Sequence, residues 1–224
     1  VSVQALFPLQ ELRSALEKAV KQARKRRFTQ SVEMIVVLQD VDMKKPENRI
    51  NVAVALPRPP PSKPSKVAVI ATGDLALKAR EAGADLVLDR DSLEKLASDK
   101  RGARKLAKNY DFFLAQPDLM VVVGRVLGKY LGPRGKMPQP VPPNAPIAPL
   151  IDRLKRSIRL RSRDQPQIAC IIGTEDQPVE HLLENAQAVL EEILKKFPPH
   201  NIRRVYFKLT MGEPVTLTRR VAER

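Results

Sequence analysis

Few side chains in this sequence are of the kinds that make or break covalent bonds. Two histidines, His181 and His200, and one cysteine, Cys170, are all it offers for imidazole or thiolate chemistry. Neither histidine has a second His or a Cys at metal-ligand spacing, so they build neither a zinc site nor a Ser/His/Asp triad. His181 falls on a helical stretch and His200 in a Pro-flanked loop, where a surface position is the plain reading. Glu191 and Glu192 are adjacent and leave a helix in different directions, so they are no acid/base pair. A single cysteine excludes an intrachain disulfide and fits a reducing compartment. No cofactor or metal is expected.

Cations are abundant by contrast. Lys and Arg number 40 against 25 Asp and Glu, a net charge of +15 with an isoelectric point near 10.2. Such an excess marks chains that meet polyanions, and nucleic acid heads that class. With six Phe, three Tyr and no Trp for stacking, binding should lean on phosphate and shape. Arg24-Lys25-Arg26-Arg27 is the densest run, read as the end of the first helix leading into Phe28-Thr29-Gln30-Ser31. One or two cations there complement a helix dipole, but four in a row repel one another unless a polyanion neutralises them. Phe28 reads either as a stacking aromatic or as a core residue at a helix-to-strand corner, and the residue pattern alone favours the core. Thr29 and Ser31 carry hydroxyls that suit phosphates or 2′-hydroxyls, or simply decorate a strand start. Lys44-Lys45-Pro46 reads as a basic, solvated turn.

Leu131-Gly132-Pro133-Arg134-Gly135-Lys136-Met137-Pro138 invites comparison with a phosphate-cradling loop. It fails as a P-loop, because the first glycine of that motif falls on Tyr130 and its Ser/Thr on Met137. Thr72-Gly73-Asp74 has one glycine where a dinucleotide fingerprint needs three. Arg156, Arg159, Arg161 and Arg163 interleave with Ile158 and Leu160 in strand alternation, predicting one cationic sheet face. Lys208-Leu209-Thr210-Met211-Gly212 ends a strand in a short polar step whose glycine permits close backbone approach.

The elements that position these residues follow from periodicity. Leu9, Leu12, Leu16, Ala19 and Ala23 recur at helical spacing, and Ile50, Val52, Val54 and Leu56 alternate as a half-buried strand. Two proline clusters, Pro57 to Pro64 and Pro138 to Pro149, look like paired boundaries. Between them strands and helices alternate: a strand over 67–71, a helix over 74–82 ended by Gly83, and a strand over 85–88. A helix opened by an Asp91-x-x-Glu94 capping box follows, then strands over 112–115 and 119–123. That order predicts a doubly wound parallel sheet. Beyond the second cluster, Gln167 to Gly173 reads as a strand, Val179 to Lys196 as a helix and Arg203 to Thr210 as a final strand. Neither flank closes a core alone. The expected plan is therefore α/β with two domains: a split α+β domain from residues 1–62 and 157–224, and an inserted Rossmann-like α/β domain from 63–156. No apolar run reaches a membrane span, and Val1-Ser2-Val3-Gln4 lacks a secretory leader, so a cytoplasmic protein with no membrane partner is expected.

At Arg27 to Glu33, Leu131 to Pro138 and Lys208 to Gly212 the sequence closely resembles the family of large-subunit ribosomal protein one, in its archaeal form. The likeness spans nearly the whole chain, including Thr72-Gly73-Asp74, Lys45 to Arg49 and Asp111-Phe112-Phe113. It implies the same two-domain plan and a non-enzymatic protein, monomeric off the ribosome. Its partners would be ribosomal RNA of the mobile stalk beside the exit site, exit-site tRNA, and the protein's own mRNA as a translational repressor. By that resemblance Arg27, Phe28, Thr29, Ser31, Glu33, Lys45, Lys208, Thr210, Met211 and Gly212 form the RNA surface, with Arg134 and Lys136 as a secondary basic loop. Phe28 thereby changes from expected core to expected contact. Glu33 would orient an Arg or Lys or accept hydrogen bonds from RNA. The Thr210 hydroxyl would bond RNA. Glu213, interposed before Pro214, and Arg204 depart from the family's pattern. The competing reading is a nucleotide-using enzyme acting on nucleic acid through the inserted domain, and a third is a general DNA-binding regulator.

Overall fold

The computed structural model describes residues 3–218; Val1 and Ser2, at the start of the stretch read above for a leader, lie outside them. In chain order the regular elements begin with helices Val3–Leu6 (α1) and Leu9–Gln22 (α2) and strands Ser31–Leu38 (β1) and Asn51–Ala55 (β2). Next come Val67–Ile70 (β3), Gly73–Glu81 (α3), Leu86–Leu88 (β4), Arg90–Ser98 (α4), Lys100–Asn109 (α5), Phe112–Ala115 (β5) and Met120–Leu131 (α6). Gln139–Pro140 (β6), Ile147–Lys155 (α7), Ser157–Arg161 (β7), Gln167–Thr174 (β8), Val179–Lys196 (α8), Ile202–Leu209 (β9) and Val215–Thr218 (β10) complete the regular elements of the described residues. Two compact units result, one from residues 1–63 and 157–224, the other Pro64–Arg156.

In the first unit an antiparallel sheet has the order β10-β9-β1-β8, and a two-stranded ribbon pairs β2 with β7. β1 is central, so its alternate residues Val32, Met34, Val36 and Leu38 point into the core and are buried. Leu12, Leu16 and Ala19 of α2 and Leu182, Ala186, Val189 and Ile193 of α8 cover that face. The other residues of the sheet stay accessible: Glu33, Ile35 and Val37 are half-buried, and Ile171 is 42% exposed. A register shift between Val32 and Glu33 marks the site end of the sheet.

The second unit is a parallel sheet of order β4-β3-β5-β6 with helices on both faces. Strand residues divide by parity. Ala68, Ile70, Phe113 and Ala115 pack on α4, α5 and α6, whereas Val67, Val69, Phe112 and Leu114 pack on α3 and α7. This is the doubly wound, Rossmann-like arrangement, and the chain as a whole is α/β with two domains.

Several local expectations need correction. Residues 119–123 form no strand: Leu119 closes a 3-10 turn and α6 begins at Met120. Val123, Val126, Leu127, Tyr130 and Leu131 are buried at helical spacing while Val121 is 81% exposed, so packing overrides the strand propensity of the valines. The cap of α4 is Asp89, whose carboxylate accepts from the Ser92 amide, two residues before the expected Asp91. The second proline cluster is no linker. Gln139–Pro140 pairs as an edge strand, Val141 is buried, and Pro149 sits in the first turn of α7, where no amide is required. α2 stops at Gln22 with Ala23 extended, so Arg24 to Arg27 occupy a loop and not a helix end. β9 is not the last strand, because β10 follows and pairs with it.

Candidate nucleic-acid interface

The loop between α2 and β1 meets the turn after β9 at one end of the first unit's sheet. Gln30 makes that junction. Fully buried, it donates through Nε2 to the Arg24 carbonyl (3.1 Å) and to Glu175 Oε2 (3.2 Å), and its Oε1 accepts from the Met211 amide (3.1 Å). Its own amide donates to Glu175 Oε1 (2.8 Å), and its carbonyl accepts from the Glu175 amide (3.0 Å). Every polar group of the residue is used, as a buried amide requires. Two chain segments are thus fixed against each other, and each carries an exposed apolar side chain: Phe28 at 51% and Met211 at 60% exposure. Exposure on that scale removes the core reading of Phe28. Arg24, Lys25, Arg26 and Arg27 lie in the same loop and are exposed.

Ser31 and Thr210 lock the adjoining backbone. The Ser31 amide donates to Thr210 Oγ1 (3.1 Å), the Thr210 amide donates to the Ser31 carbonyl (3.1 Å), and Thr210 Oγ1 donates to that carbonyl at 3.4 Å. The threonine hydroxyl expected to face RNA therefore works inside the protein, although Thr210 itself is exposed. Lys63 Nζ donates to the Thr29 carbonyl and to Ser31 Oγ, both at 2.9 Å. Glu33 and Lys208 are cross-strand partners, with Nζ 3.6 Å from Oε2. Lys208 Nζ also donates to the Thr210 carbonyl (3.1 Å). The carboxylate thus orients a lysine, as an opposite-charge pair across two strands does. Gly212 donates to the Leu209 carbonyl (2.9 Å), and a Cβ there would lie 3.3 Å from Ala23 and from Leu209. The space it keeps open is needed by the protein's own turn. Glu213 is exposed beside it, whereas Arg204 is paired with Val37 toward the far end of β1.

The structure brings Arg27, Phe28, Thr29, Ser31, Glu33, Lys208, Thr210, Met211 and Gly212 to one end of this sheet. Lys45 is not among them. It caps a 3-10 turn at Pro46–Asn48, beyond the opposite end of β1. Eight residues of strand at about 3.4 Å each separate it from Ser31. Arg134 and Lys136 belong to the second unit; Arg134 is exposed, whereas the Lys136 side chain is turned inward. The Lys136 amide donates to the Leu131 carbonyl and the Gly135 amide to Gly132, with Gly135 at φ +66°, a Schellman ending of α6. Lys136 Nζ donates to the Tyr110 carbonyl (2.6 Å) and the Ala107 carbonyl (3.2 Å), satisfying the end of α5. Arg134 Nη1 donates to the Tyr130 carbonyl (3.2 Å). The glycines and cations of this loop are explained by helix termination. On the ribbon, Arg159 and Arg161 are half-buried, and burial followed by Arg163 pulls the Arg161 guanidinium below its usual range.

Gln30, Glu175 and Lys63 were missed from sequence. Their partners lie 145 and 32 residues away, and no local pattern announces such contacts. No group of three or more His, Cys, Asp or Glu fit to hold a metal occurs among the described residues. No helix among them is long and apolar enough to cross a membrane.

The first unit is thus a split α+β fold interrupted by a doubly wound one, and its sheet end presents an exposed aromatic beside a run of exposed cations, a surface suited to a polyanion. The chain belongs to the Ribosomal protein L1p/L10e family, whose profile matches residues 19–213. It is 68% identical over 215 residues to the large ribosomal subunit protein uL1 of Thermofilum pendens, covering 94% of this chain and 96% of that protein. The large ribosomal subunit protein uL1 of Pyrobaculum islandicum is 50% identical over 212 residues, covering 94% and 95%. That of Methanocaldococcus jannaschii is 46% identical over 218 residues, covering 95% and 99%.

Proposed function

We propose that this chain is a structural component of the cytoplasmic large ribosomal subunit that binds ribosomal RNA through the sheet end of its first unit. The observation carrying the reading is the pair Phe28 and Met211, two exposed apolar side chains held by one buried amide beside exposed Arg24 to Arg27. Exposed apolar side chains on anchored backbone stack on or pack against unpaired bases, while the cations take phosphate. Arg27, Thr29 and Ser31 border it on one side, and Glu33, Lys208, Thr210 and Gly212 on the other. The bound RNA is the mobile stalk beside the exit site, where the protein assists release of deacylated tRNA. Its own mRNA, carrying a similar RNA fold, is a second target through which it represses translation. The protein is monomeric away from the ribosome, and its work is binding and not catalysis.

The competing nucleotide-enzyme reading needs a phosphate cradle in the second unit. Its best candidate, the Leu131 to Pro138 loop, spends amides and cations on helix ends, which disfavours that reading. Two measurements test the proposal. Ultraviolet crosslinking in cells followed by RNA identification should enrich one region of large-subunit RNA; crosslinks spread evenly over cellular RNA would overturn it. Phe28→Ala should lower affinity for the enriched RNA by about 1–3 kcal/mol. Because the side chain is half exposed, unfolding stability should stay within about 0.5 kcal/mol of the parent. Unchanged affinity would remove Phe28 from the interface.

A further inference from the structure

The second unit carries a cationic surface that the interface above does not use. α5 reads Lys-Arg-Gly-Ala-Arg-Lys-Leu-Ala-Lys-Asn and has no acidic residue. Ala103, Leu106 and Ala107 are buried against the neighbouring helices and sheet, while Lys100, Arg101, Arg104, Lys105 and Lys108 are all exposed. Among the described residues none of these five side chains lies in an ion pair.

That distinguishes α5 from α2, α3, α4 and α8. α2 pairs Arg13 with Glu17, α3 pairs Lys78 with Asp74, α4 pairs Arg90 with Glu94, and α8 pairs Lys195 with Glu192. Each of these helices also carries an acidic residue in its first turn, whereas α5 opens with Lys100 and Arg101. Cations at a helix N-terminus oppose the dipole, and like charges four residues apart destabilise a helix. Asp99 offsets part of this by accepting from the Arg101 and Gly102 amides at 3.1 and 2.9 Å. The helix thus keeps a charge pattern that its own stability disfavours.

We propose that the exposed face of α5 is a second, sequence-independent RNA contact, binding the phosphate backbone of a duplex. Lys100, Arg104 and Lys108 recur every four residues, about 6 Å apart along the axis. That spacing is of the order of neighbouring phosphates on one strand. Arg101 and Lys105 form a parallel row one position on. The face has no exposed aromatic or large apolar residue for bases to stack upon, so it reads charge and not sequence.

The proposal rests on the reading of the chain as an RNA-binding protein, and its test separates the two. The whole 224-residue chain is titrated with an RNA duplex of arbitrary sequence across a salt series, beside a variant carrying Lys100→Gln, Arg104→Gln and Lys108→Gln. Glutamine keeps length and helix propensity, and circular dichroism and thermal unfolding check the fold. Loss of three phosphate contacts should reduce the salt slope by roughly 2–3 and weaken duplex binding at low salt at least tenfold. Phe28→Ala should leave that slope unchanged. An unaltered slope in a folded triple variant overturns the α5 proposal while leaving the sheet-end interface standing. Unaltered duplex binding together with lost binding to phosphatidylserine vesicles also overturns it, and assigns the face to a membrane surface. Failure of Phe28→Ala to affect its crosslinked RNA, with the slope effect of the triple variant intact, removes only the first interface.

Discussion

Thr210 shows how a side chain near a binding surface can act through the fold. Its hydroxyl accepts from the Ser31 amide, and Ser31 is only 5% exposed. Thr210→Val keeps the shape but strands that amide, so unfolding free energy should fall by about 1–3 kcal/mol in denaturant titration. A variant as stable as the parent would return the hydroxyl to a purely RNA-facing role. Residue types alone favoured a core position for Phe28, and it was the family resemblance that brought Phe28, Glu33 and Met211 into the expected RNA surface. Gln30 and Lys63 gave no such sign. A glutamine before a strand and a lysine in a proline-rich stretch look ordinary until distant segments supply their partners.

At the scale of elements, periodicity placed α8 at its observed limits, since its seven buried residues recur along one stripe over 18 residues. The run at 119–123 was too short to tell strand from helix, and only α4, α5 and the sheet beneath them decide the matter. The break between α4 and α5 was equally invisible, because it depends on Asp99. That residue's amide closes α4 on the Lys95 carbonyl while its carboxylate opens α5. Asp99→Ala should cost about 0.5–2 kcal/mol, measurable by thermal or chemical unfolding. Gly102→Ala should not give the roughly 1 kcal/mol gain usual for a helix interior, because the new Cβ would fall 2.2 Å from Asp99 Oδ2. On β8, burial pushes the Cys170 thiol up to about 12 from an ordinary 9.0. Between those values the unfolded chain releases a proton that the folded chain retains, so stability falls as pH rises through that window. Below pH 9 the thiol adds no pH dependence. From pH 9 to 11 the parent should lose about 2 kcal/mol more than Cys170→Ala, read from denaturant midpoints.

At the scale of the whole molecule, alternation of strand and helix between residues 67 and 115 carried the doubly wound plan, and the incomplete flanks carried the split one. The second proline cluster misled because proline also suits edge strands and first helical turns, both of which it supplies here. We expect residues 64–156, produced alone, to unfold cooperatively in denaturant, since both faces of their sheet are covered from within the segment. A non-cooperative transition would show that the second unit depends on the first.

The strand order β10-β9-β1-β8 also dictates a timetable for biosynthesis. β1 is translated early, yet both of its neighbours come after residue 157, so it waits unpaired while the whole of the second unit is made and can fold. Met211, half of the apolar pair, comes later still. A nascent chain therefore presents the α5 cations well before its sheet-end surface exists. On the proposed interface, selective capture of RNA is deferred until β8, β9 and the turn carrying Met211 have all been translated.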